Sequence, residues 1–352
     1  MRLRLACRDG RIAALAVEPS RRSAATRIFA NRPAQDVVEL LPRLFRLCGK
    51  AQGVAAKLAV EAARGGAHAD IAAARRAVVA EALQESLWRI LMDWPRLIGE
   101  EADPAALSEA RGMDESVRLA VFLERRVFGE PLACWRARMD SAQFADWAAN
   151  GRTTAARVFA HLVAGEGAFG AGAARTLPAM DGEQAHALAE ALMLDETFSL
   201  YPVLGGQPME TGARARLAAH AGVAEAWRRG AGVSARFAAR LVELAEMAWQ
   251  WSSGELAEDW VGACSVEDGA GLAWAETARG RLVHYVRLMP DGRVADYRIV
   301  APTEWNFHPQ GALAEGLLGV AAANADAARN RAWLMVQVLD PCVACEIEVN
   351  DA

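Results

Sequence analysis

Apolar and polar positions alternate at both ends of this chain, whereas the long middle repeats its apolar positions every three or four residues. Alternation predicts strands with one buried face, and the three-to-four spacing predicts helices. RLRLAC and RIAALAV flank the turn signal Asp9-Gly10, which predicts a β-hairpin within about residues 2–30 and a third short apolar segment at 26–29. Alternating segments between 271 and 300, with a turn at Pro290-Asp291-Gly292, predict a small sheet.

The helical spacing fills the body of the chain, about residues 34–260. The predicted helices cover residues 37–47, 54–63, 71–94, 114–128, 142–148, 154–163, 182–194 and 233–254. We expect one more helix at 311–328, followed by a buried, β-leaning run from Trp333 to Leu339. The predicted fold class is therefore α+β and mainly helical, with small β elements at both ends. Because such end strands can meet, we expect a single domain over 1–352, closed by a sheet and C-terminal motif at about 270–352.

The composition favours a globular protein and gives no sign of a nucleic-acid partner. The 352 residues are 53% hydrophobic, which is enough for a large core, and 39 basic against 44 acidic residues give a formal charge of -5. No stretch of about 18 apolar residues lacks charge, and the first residues do not show a secretory pattern. We therefore expect a cytoplasmic protein without membrane insertion.

Two of the six cysteines, Cys342 and Cys345, stand out because only two residues separate them. They follow Pro341, which has no N–H to donate and favours a bend, so both thiols are presented together. A Cys-x-x-Cys pair can chelate a metal, exchange disulfides or fill a core, and the spacing leaves all three open. Cys48 has no close partner in the sequence, so it is either a packed thiol or a ligand.

Gly165-x-Gly167-x-x-Gly170 matches the dinucleotide-binding fingerprint in its letters. That fingerprint has meaning only between a strand and a helix, whereas residues 154–163 are predicted to be helical and Pro178 interrupts the segment after the glycines. We interpret this glycine-rich stretch as a flexible loop.

Five separated motifs together resemble the large subunits of nickel-iron hydrogenases. In chain order they are Arg46-Leu47-Cys48-Gly49, the stretch from Gly206 to Arg216, Glu276-Thr277-Ala278-Arg279-Gly280, the stretch from Val300 to Asn306, and Asp340-Pro341-Cys342-Val343-Ala344-Cys345. They are similar to the family's RxCGxC, GxPMExGxxAR, EAPRG, VVPTTWN and DPCxxC motifs, with Ala278 in place of a proline. Because all five occur in the family's order and span most of the chain, the resemblance implies the large-subunit fold.

The departures from these motifs concern the nickel site. The family has a second cysteine and a histidine where this sequence has Ala51 and Ala55, and a later histidine where it has Glu348. In the family, the second cysteine of each pair bridges nickel and iron, so the usual dinuclear centre cannot be built here. Loss of these groups with retention of the other motifs resembles the HupK-type hydrogenase expression/formation proteins, which implies an assembly factor and not an enzyme.

The resemblance also implies a cargo and a set of partners. It implies a non-enzymatic scaffold or chaperone that holds or transfers the Fe(CN)2CO fragment, or iron, with the hydrogenase large subunit and maturation chaperones as partners and without nickel. The implied metal ligands are Cys342, Cys345 and Cys48, and the implied cyanide-facing residues are Arg279, Pro302 and Thr303. Thiolates suit low-spin iron, and a guanidinium or a hydroxyl group can donate to cyanide nitrogen.

Other interpretations remain open at this stage. The chain could be a large-subunit mimic that binds maturation partners without metal, or a divergent catalytic hydrogenase subunit. Arg279 could be a solvated edge residue, and Thr303 could simply form a turn after Pro302. His284 and His308 are nearest to the motifs, but a lone histidine is more commonly a satisfied core or surface group than a ligand.

Overall fold

The computed structural model describes residues 1–19, 23–45, 47–66, 70–111 and 116–351. They group into two compact units: unit 1 comprises Met1–Glu81, Ala173–Gly212 and Glu258–Ala352, and unit 2 comprises Ala82–Gly172 and Ala213–Ala257. The mainly helical α+β class is confirmed. The units group residues by proximity, and the single domain over 1–352 stays a prediction.

Unit 1 carries the β-structure that the sequence predicts at the two ends of the chain, together with packed helices. Its strands are β1 (Arg2–Arg8), β2 (Arg11–Glu18), β3 (Arg175–Thr176), β4 (Met209–Glu210), β5 (Val261–Glu267), β6 (Ala270–Thr277), β7 (Gly280–Leu288), β8 (Val294–Val300) and β9 (Glu346–Asp351). Its helices are α1 (Ala34–Leu44), α2 (Gly49–Ala63), the first part of α3 (Ile71–Trp88), α9 (Gly182–Leu194), α13 (Pro302–Asn306), α14 (Ala312–Leu317) and α15 (Ala325–Leu339).

The predicted N-terminal hairpin is confirmed, with β1 and β2 antiparallel around the turn at Asp9 and Gly10. The third strand of this sheet is β9, which pairs in parallel with β1 from Arg2 opposite Glu346 to Cys7 opposite Asp351. The apolar segment expected at 26–29 belongs to a 3-10 helix, Ser23–Phe29, and not to the sheet. The two ends of the chain therefore meet in one sheet.

The predicted sheet within 271–300 is confirmed and has one more strand than expected, in the antiparallel order β5-β6-β7-β8. Alternate side chains of β6 and β7 point to opposite faces of the sheet. A helix packs on each of these faces. On one face Leu272, Val283 and Tyr285 pack with the buried side of α9. On the other face α2 lies so close to β6 that a Cβ added at Gly271 would be 2.3 Å from the Ala59 carbonyl oxygen.

Unit 2 is helical in its described residues. Its helices are α4 (Pro104–Ala110), α5 (Ser116–Leu123), α6 (Leu132–Arg136), α7 (Ser141–Ala149), α8 (Thr154–His161), α10 (Ala213–Arg216), α11 (Ala221–Arg228) and α12 (Gly232–Ser253), and the later part of α3 also belongs to it. Aromatic side chains form much of its core, with ring contacts of Trp135 to Phe128, Phe144 and Trp147. Such rings bury large apolar areas and so account for much of the stability of this unit.

The glycine-rich stretch at 165–173 follows α8 and not a strand, so it is not a dinucleotide-binding turn. It packs against the start of α12, where Val233 N–H donates to the Phe169 carbonyl at 2.9 Å. A Cβ at Gly232 would be 2.2 Å from Ala171 N, so glycine is required for this close approach.

The prediction of a β-leaning run from Trp333 to Leu339 is wrong, because these residues end the long helix α15. Asn324 starts this helix, and its side chain accepts from Ala327 N–H. Buried positions such as Ala328, Ala332, Met335 and Leu339 recur at helical spacing, while Trp333 is 45% exposed. The predicted helix at 311–328 is replaced by the short α14 and the first turn of α15.

Among the described residues, no helix combines the length and the apolar character that crossing a bilayer requires.

Replacement of Gly271 by alanine tests the packing of α2 on the sheet. The new methyl group would meet backbone atoms of α2 at Ala59 and Ala63, which cannot rotate away. We expect Gly271→Ala to lower the free energy of unfolding by about 1–3 kcal/mol in urea denaturation. Gly182→Ala is the matched control, because no atom lies within 4 Å of its added Cβ. It should be neutral or stabilising by up to about 1 kcal/mol, and an equal loss in both variants would contradict the packing.

Candidate functional site

The loop that carries the two thiols connects α15 to β9 in unit 1. Helix α15 ends at Leu339, and its C-cap residue Asp340 adopts a left-handed conformation with φ 52° and is followed by Pro341. Proline cannot continue the helix, and aspartate is one of the few residues that tolerates this conformation. Cys342 and Cys345 are both partly buried and free of disulfides. The local sequence therefore forces a sharp turn just before the first sulfur.

Thr303 contacts the first sulfur directly. Its hydroxyl oxygen accepts from Cys342 N–H at 3.2 Å and lies 3.1 Å from Cys342 Sγ. Since the oxygen accepts from the amide, its own proton can be donated to the sulfur, which stabilises a thiolate. Pro302 starts helix α13 at the position where its missing N–H costs nothing, and so fixes Thr303 in the first turn.

Arg279 is in the two-residue turn between β6 and β7 and is buried, so the interpretation as a solvated edge residue is wrong. Its Nε lies 3.4 Å from Asp340 Oδ1, and the two side chains are 6% and 0% exposed. A buried charge requires a charged partner, so this ion pair fixes the guanidinium beside the start of the cysteine loop. Thr303 thus contacts Cys342, and Arg279 contacts Asp340 two residues before it, so residues of three separate motifs meet at the start of the cysteine loop.

The side chain of Asn306 connects these motifs through their backbones. Its Oδ1 accepts from Thr211 N–H at 2.9 Å, and its Nδ2 donates to the carbonyl oxygens of Arg279 at 3.3 Å and Leu339 at 3.5 Å. Asn306 is 2% exposed, so water cannot replace these bonds. One amide group therefore sets the positions of the arginine turn and the end of α15.

Two glycines allow the segment that contains Thr211 to lie close against the turn that contains Arg279. Gly212 has φ 102°, and a Cβ there would be 3.0 Å from the Arg279 carbonyl oxygen. A Cβ at Gly280, which has φ 127°, would be 2.4 Å from the Thr211 methyl group. The glycines of two motifs are thus explained by close backbone approach. A further buried ion pair, Arg281 to Glu276 at 2.6 Å, holds the same hairpin.

Cys48 precedes α2 and is its N-cap residue. Its motif partner Arg46 lies outside the described residues. Glu81 caps the same helix end by accepting from Lys50 N–H at 2.8 Å and Ala51 N–H at 2.9 Å. Burial raises the pKa of Glu81, while these two bonds and the positive charges of Lys50 and Arg279 act to lower it. The Glu81 carboxylate that caps α2 is therefore near enough to Arg279 for their charges to interact.

The two candidate histidines have protein partners. His284 Nδ1 is 2.6 Å from the Tyr297 hydroxyl, and His284 Nε2 is 3.0 Å from Gln52 Oε1. Burial lowers the pKa of His284 to about 3, so the ring is neutral. His308 Nδ1 accepts from Gln310 N–H at 3.1 Å. Both are satisfied histidines, as expected for lone histidines near these motifs.

Glu348, whose role the sequence does not decide, belongs to β9 and pairs with Arg2 and Arg4 at 3.1 Å each. These groups are 42–47% exposed, so the contacts are surface ion pairs of small energetic value.

Burial raises the pKa of Cys345 to about 11; the positive charge of the N-terminus acts to lower it, and the negative charge of Glu346 acts to raise it. This thiol is therefore protonated at neutral pH, and a metal that binds it must displace the proton. Within the described ranges no three His, Cys, Asp or Glu side chains are grouped to hold a metal ion. The ligand roles of Cys342, Cys345 and Cys48 stay a prediction, as do the cyanide-facing roles of Arg279, Pro302 and Thr303.

Asp340 and Asn306 are site residues that sequence reasoning missed. Both belong to the hydrogenase-like motifs, so their position beside the implied ligands was the available signal. Their roles could not be read from it, because each acts on residues far away in the sequence: Asp340 on Arg279, and Asn306 on Thr211, Arg279 and Leu339.

The residues that make these contacts lie in a part of the chain that is similar to known hydrogenase-related proteins. Residues 231–348 match the family model for nickel-dependent hydrogenases, a range that contains Arg279, Thr303 and both cysteines of the loop. The chain is 33% identical to the hydrogenase expression/formation protein HoxV of Cupriavidus necator, over 99% of this chain and 96% of that protein. It is 32% identical to the hydrogenase expression/formation protein HupK of Rhizobium leguminosarum, over 96% of this chain and 93% of that protein.

Solved structures show the same fold. The reduced Ni-Fe-Se hydrogenase of D. vulgaris Hildenborough is similar with a TM-score of 0.58 at 15% identity, covering 96% of this chain and 94% of that one. An NAD+-reducing [NiFe]-hydrogenase is similar with a TM-score of 0.55 at 18% identity, covering 95% and 93%. The predicted hydrogenase large-subunit-like fold is therefore confirmed.

Truncation of Asn306 tests its connecting role. Asn306→Ala leaves Thr211 N–H and the carbonyl oxygens of Arg279 and Leu339 without this buried partner. We expect the free energy of unfolding to fall by about 2–3 kcal/mol in denaturant titrations. Asn350→Ala, on the exposed side of β9, is the control and should stay within about 0.5 kcal/mol of the parent. A loss for Asn306→Ala no larger than that of the control would show that the three segments hold together without it.

The neutral His284 predicts a pH dependence of stability. Its folded-state pKa of about 3 lies below the usual unfolded value of about 6.5, so the unfolded chain binds one more proton between these limits. The free energy of unfolding is therefore unaffected above about pH 6.5 and falls as the pH decreases below it, by up to about 1.4 kcal/mol per pH unit. His284→Gln should reduce this slope between pH 7 and 5. An unchanged slope in denaturant titrations would mean that His284 is not held neutral.

Proposed function

Since this chain belongs to the family of hydrogenase expression/formation proteins that includes HoxV and HupK, we propose that it acts in hydrogenase maturation as a non-enzymatic scaffold for the Fe(CN)2CO fragment. It holds this cargo through Cys342 and Cys345 and passes it to the hydrogenase large subunit, with maturation chaperones as further partners. The cargo is iron that already carries three small ligands, so two thiolates supply much of what its coordination still needs. The proposal requires no turnover by the chain itself.

The observation that carries this proposal is the contact of Thr303 with Cys342, beside the buried pair of Arg279 and Asp340. Cyanide is an anion with an acceptor nitrogen, and it needs charged or strong donors when it leaves water. The Thr303 hydroxyl on the sulfur and the Arg279 guanidinium on Asp340, two residues before it, are donors of this kind. This arrangement supports an iron fragment with cyanide ligands better than it supports disulfide exchange.

The raised pKa of Cys345 supports transient binding. A thiol with a pKa of about 11 is protonated in the empty protein at neutral pH. Loading the iron fragment must release that proton, and the cost weakens the complex relative to one with a preformed thiolate. Reprotonation of the same sulfur favours release, which suits a protein that passes its cargo on.

Infrared spectroscopy on protein purified anaerobically from cells that contain the maturation machinery tests the proposal. The parent protein should show cyanide and carbon monoxide stretching bands, and Cys342→Ser or Cys345→Ser should lose them while remaining folded by circular dichroism. Cys134→Ser, an exposed cysteine in unit 2, is the matched control and should retain the bands. Arg279→Lys keeps the charge but loses the planar fork, so any remaining cyanide bands should shift.

Two outcomes would contradict the proposal. If the parent protein shows no such bands although the iron fragment is present in the cells, the protein does not hold this cargo. Cysteine variants that still support full hydrogenase maturation would favour a metal-free mimic of the large subunit that acts by binding partners.

A further inference from the structure

The three-stranded sheet of unit 1 has two outer strands, β2 and β9. The segment between α14 and α15 covers the start of β2: Ile12 N–H donates to the Val320 carbonyl at 3.0 Å, and Gly319 N–H donates to the Ile12 carbonyl at 2.9 Å. Within the part of the chain that the structure describes, no segment covers the outer edge of β9 in this way. Such an edge presents backbone donors and acceptors that can pair with another chain.

The free backbone groups of β9 belong to Ile347 and Val349. Glu346 N–H donates to the Met1 carbonyl at 3.0 Å, and the parallel register with β1 continues from there without a shift. In a parallel pair every second residue directs its N–H and C=O to the neighbouring strand, so Glu346 and Glu348 face β1 and the residues between them face away. Among the described residues, Ile347 and Val349 have no further backbone partner. They therefore offer an added strand two donors and two acceptors.

The exposed face of this sheet carries charges that alternate from strand to strand. Glu18 on β2 pairs with Arg4 on β1 at 2.5 Å, and Arg4 pairs with Glu348 on β9 at 3.1 Å. Arg2 on β1 pairs with Glu346 on β9 at 3.4 Å. The order across the sheet is thus acidic, basic, acidic, and opposite charges on neighbouring strands attract. A fourth strand beside β9 is therefore favoured when it carries basic side chains opposite Glu346 and Glu348.

The other face of β9 favours apolar side chains. Ile347 and Val349 are half-buried and in register with Leu3 and Leu5 of β1, which are 0% and 1% exposed. Because paired residues point to the same face, an added strand would continue this apolar row. Strand β1 shows which pattern β9 accepts as a neighbour, since its sequence begins Arg-Leu-Arg-Leu.

A second copy of β9 does not fit this pattern. Pairing of β9 with β9 of another molecule would bring glutamates beside glutamates, and like charges on neighbouring strands are destabilising. The favoured occupant is therefore an extended segment of a different protein.

We propose that β9 accepts, as a fourth strand, an extended segment of a partner protein in which basic and apolar residues alternate. The strand begins at Glu346, directly after Cys345. A partner bound there lies beside the loop that carries both sulfurs, which suits the protein that delivers or receives the cargo. This role in transfer rests on the proposed function, whereas the strand pairing itself requires no metal.

A synthetic peptide tests the pairing on the metal-free protein. The probe is a short, capped, fluorescently labelled peptide that alternates lysine and valine, and its control has the same composition with the lysines in one block and the valines in another. Only the alternating peptide can place all its charges on one face of a strand, so it should bind about tenfold more tightly in fluorescence anisotropy. Its binding should slow hydrogen exchange in residues 346–351 and not in residues 11–18.

Val349→Pro tests the outward N–H directly. Proline is tolerated where the N–H of an edge strand faces solvent, so the ladder to β1 should survive. Without this donor, and with the proline ring in the way, peptide binding should weaken by about tenfold. Val349→Thr is the matched control, because it keeps the N–H and the branched side chain and should bind the peptide as the parent does. The double change Glu346→Gln with Glu348→Gln should weaken binding by about fivefold.

Equal affinity for the two peptides would overturn the inference, as would undiminished binding to Val349→Pro. If Val349→Pro does not fold, the double glutamine variant decides, and unchanged affinity in it would contradict the charge pattern. All these variants retain Cys342 and Cys345. The infrared bands therefore test the cargo separately, and either proposal can fail without the other.

Discussion

The geometry of the site depends on the three hydrogen bonds of Asn306. They connect Thr211, Arg279 and Leu339, which are distant in sequence, and they are formed where water cannot compete. Each bond is to a backbone group, so it fixes the path of the chain and not merely one side chain. Because Thr303 is on the same short helix as Asn306, the hydroxyl that contacts Cys342 is positioned by the same unit. Loss of this amide would therefore affect the segments of Thr211, Arg279 and Leu339 together.

Charge reinforces this backbone arrangement at considerable desolvation cost. Two arginines separated by one residue, Arg279 and Arg281, are both buried, and each has an acidic partner, Asp340 and Glu276. A buried ion pair contributes little net stability compared with apolar packing, but breaking one is strongly destabilising. Such pairs are better explained by a need to hold charge in a defined place. Here Arg281 pairs within its own hairpin, whereas Arg279 pairs with the residue that begins the cysteine loop.

Sequence patterns predicted the elements whose signals are local and failed where tertiary contacts decide. The Asp9-Gly10 hairpin and helix Gly182–Leu194 carry their own turn, cap and periodicity, and both are confirmed. Strand β9 becomes part of a sheet only because β1 is beside it, more than 300 residues away in sequence. The run from Trp333 to Leu339 has apolar residues on both faces. The three-to-four spacing of apolar positions that indicates a helix is therefore not visible there. Burial of Arg279 likewise depends on Asp340, which no local pattern reveals.

Ala51 and Ala55, which the motif comparison predicts to stand in place of ligand groups, are part of the core. Ala51 and Ala55 are 1% and 0% exposed, and with Ala59 they recur every fourth residue, so they lie on one face of α2. This helix approaches β6 so closely at Gly271 that the strand has no room for a side chain. Small residues on the helix allow that approach, whereas larger groups would push the two elements apart. The start of α2 is thus closely packed, while Gln52 contacts Cys48 and Glu81 accepts from Ala51 N–H. Because an alanine side chain has no donor atom, neither Ala51 nor Ala55 can bind a metal ion.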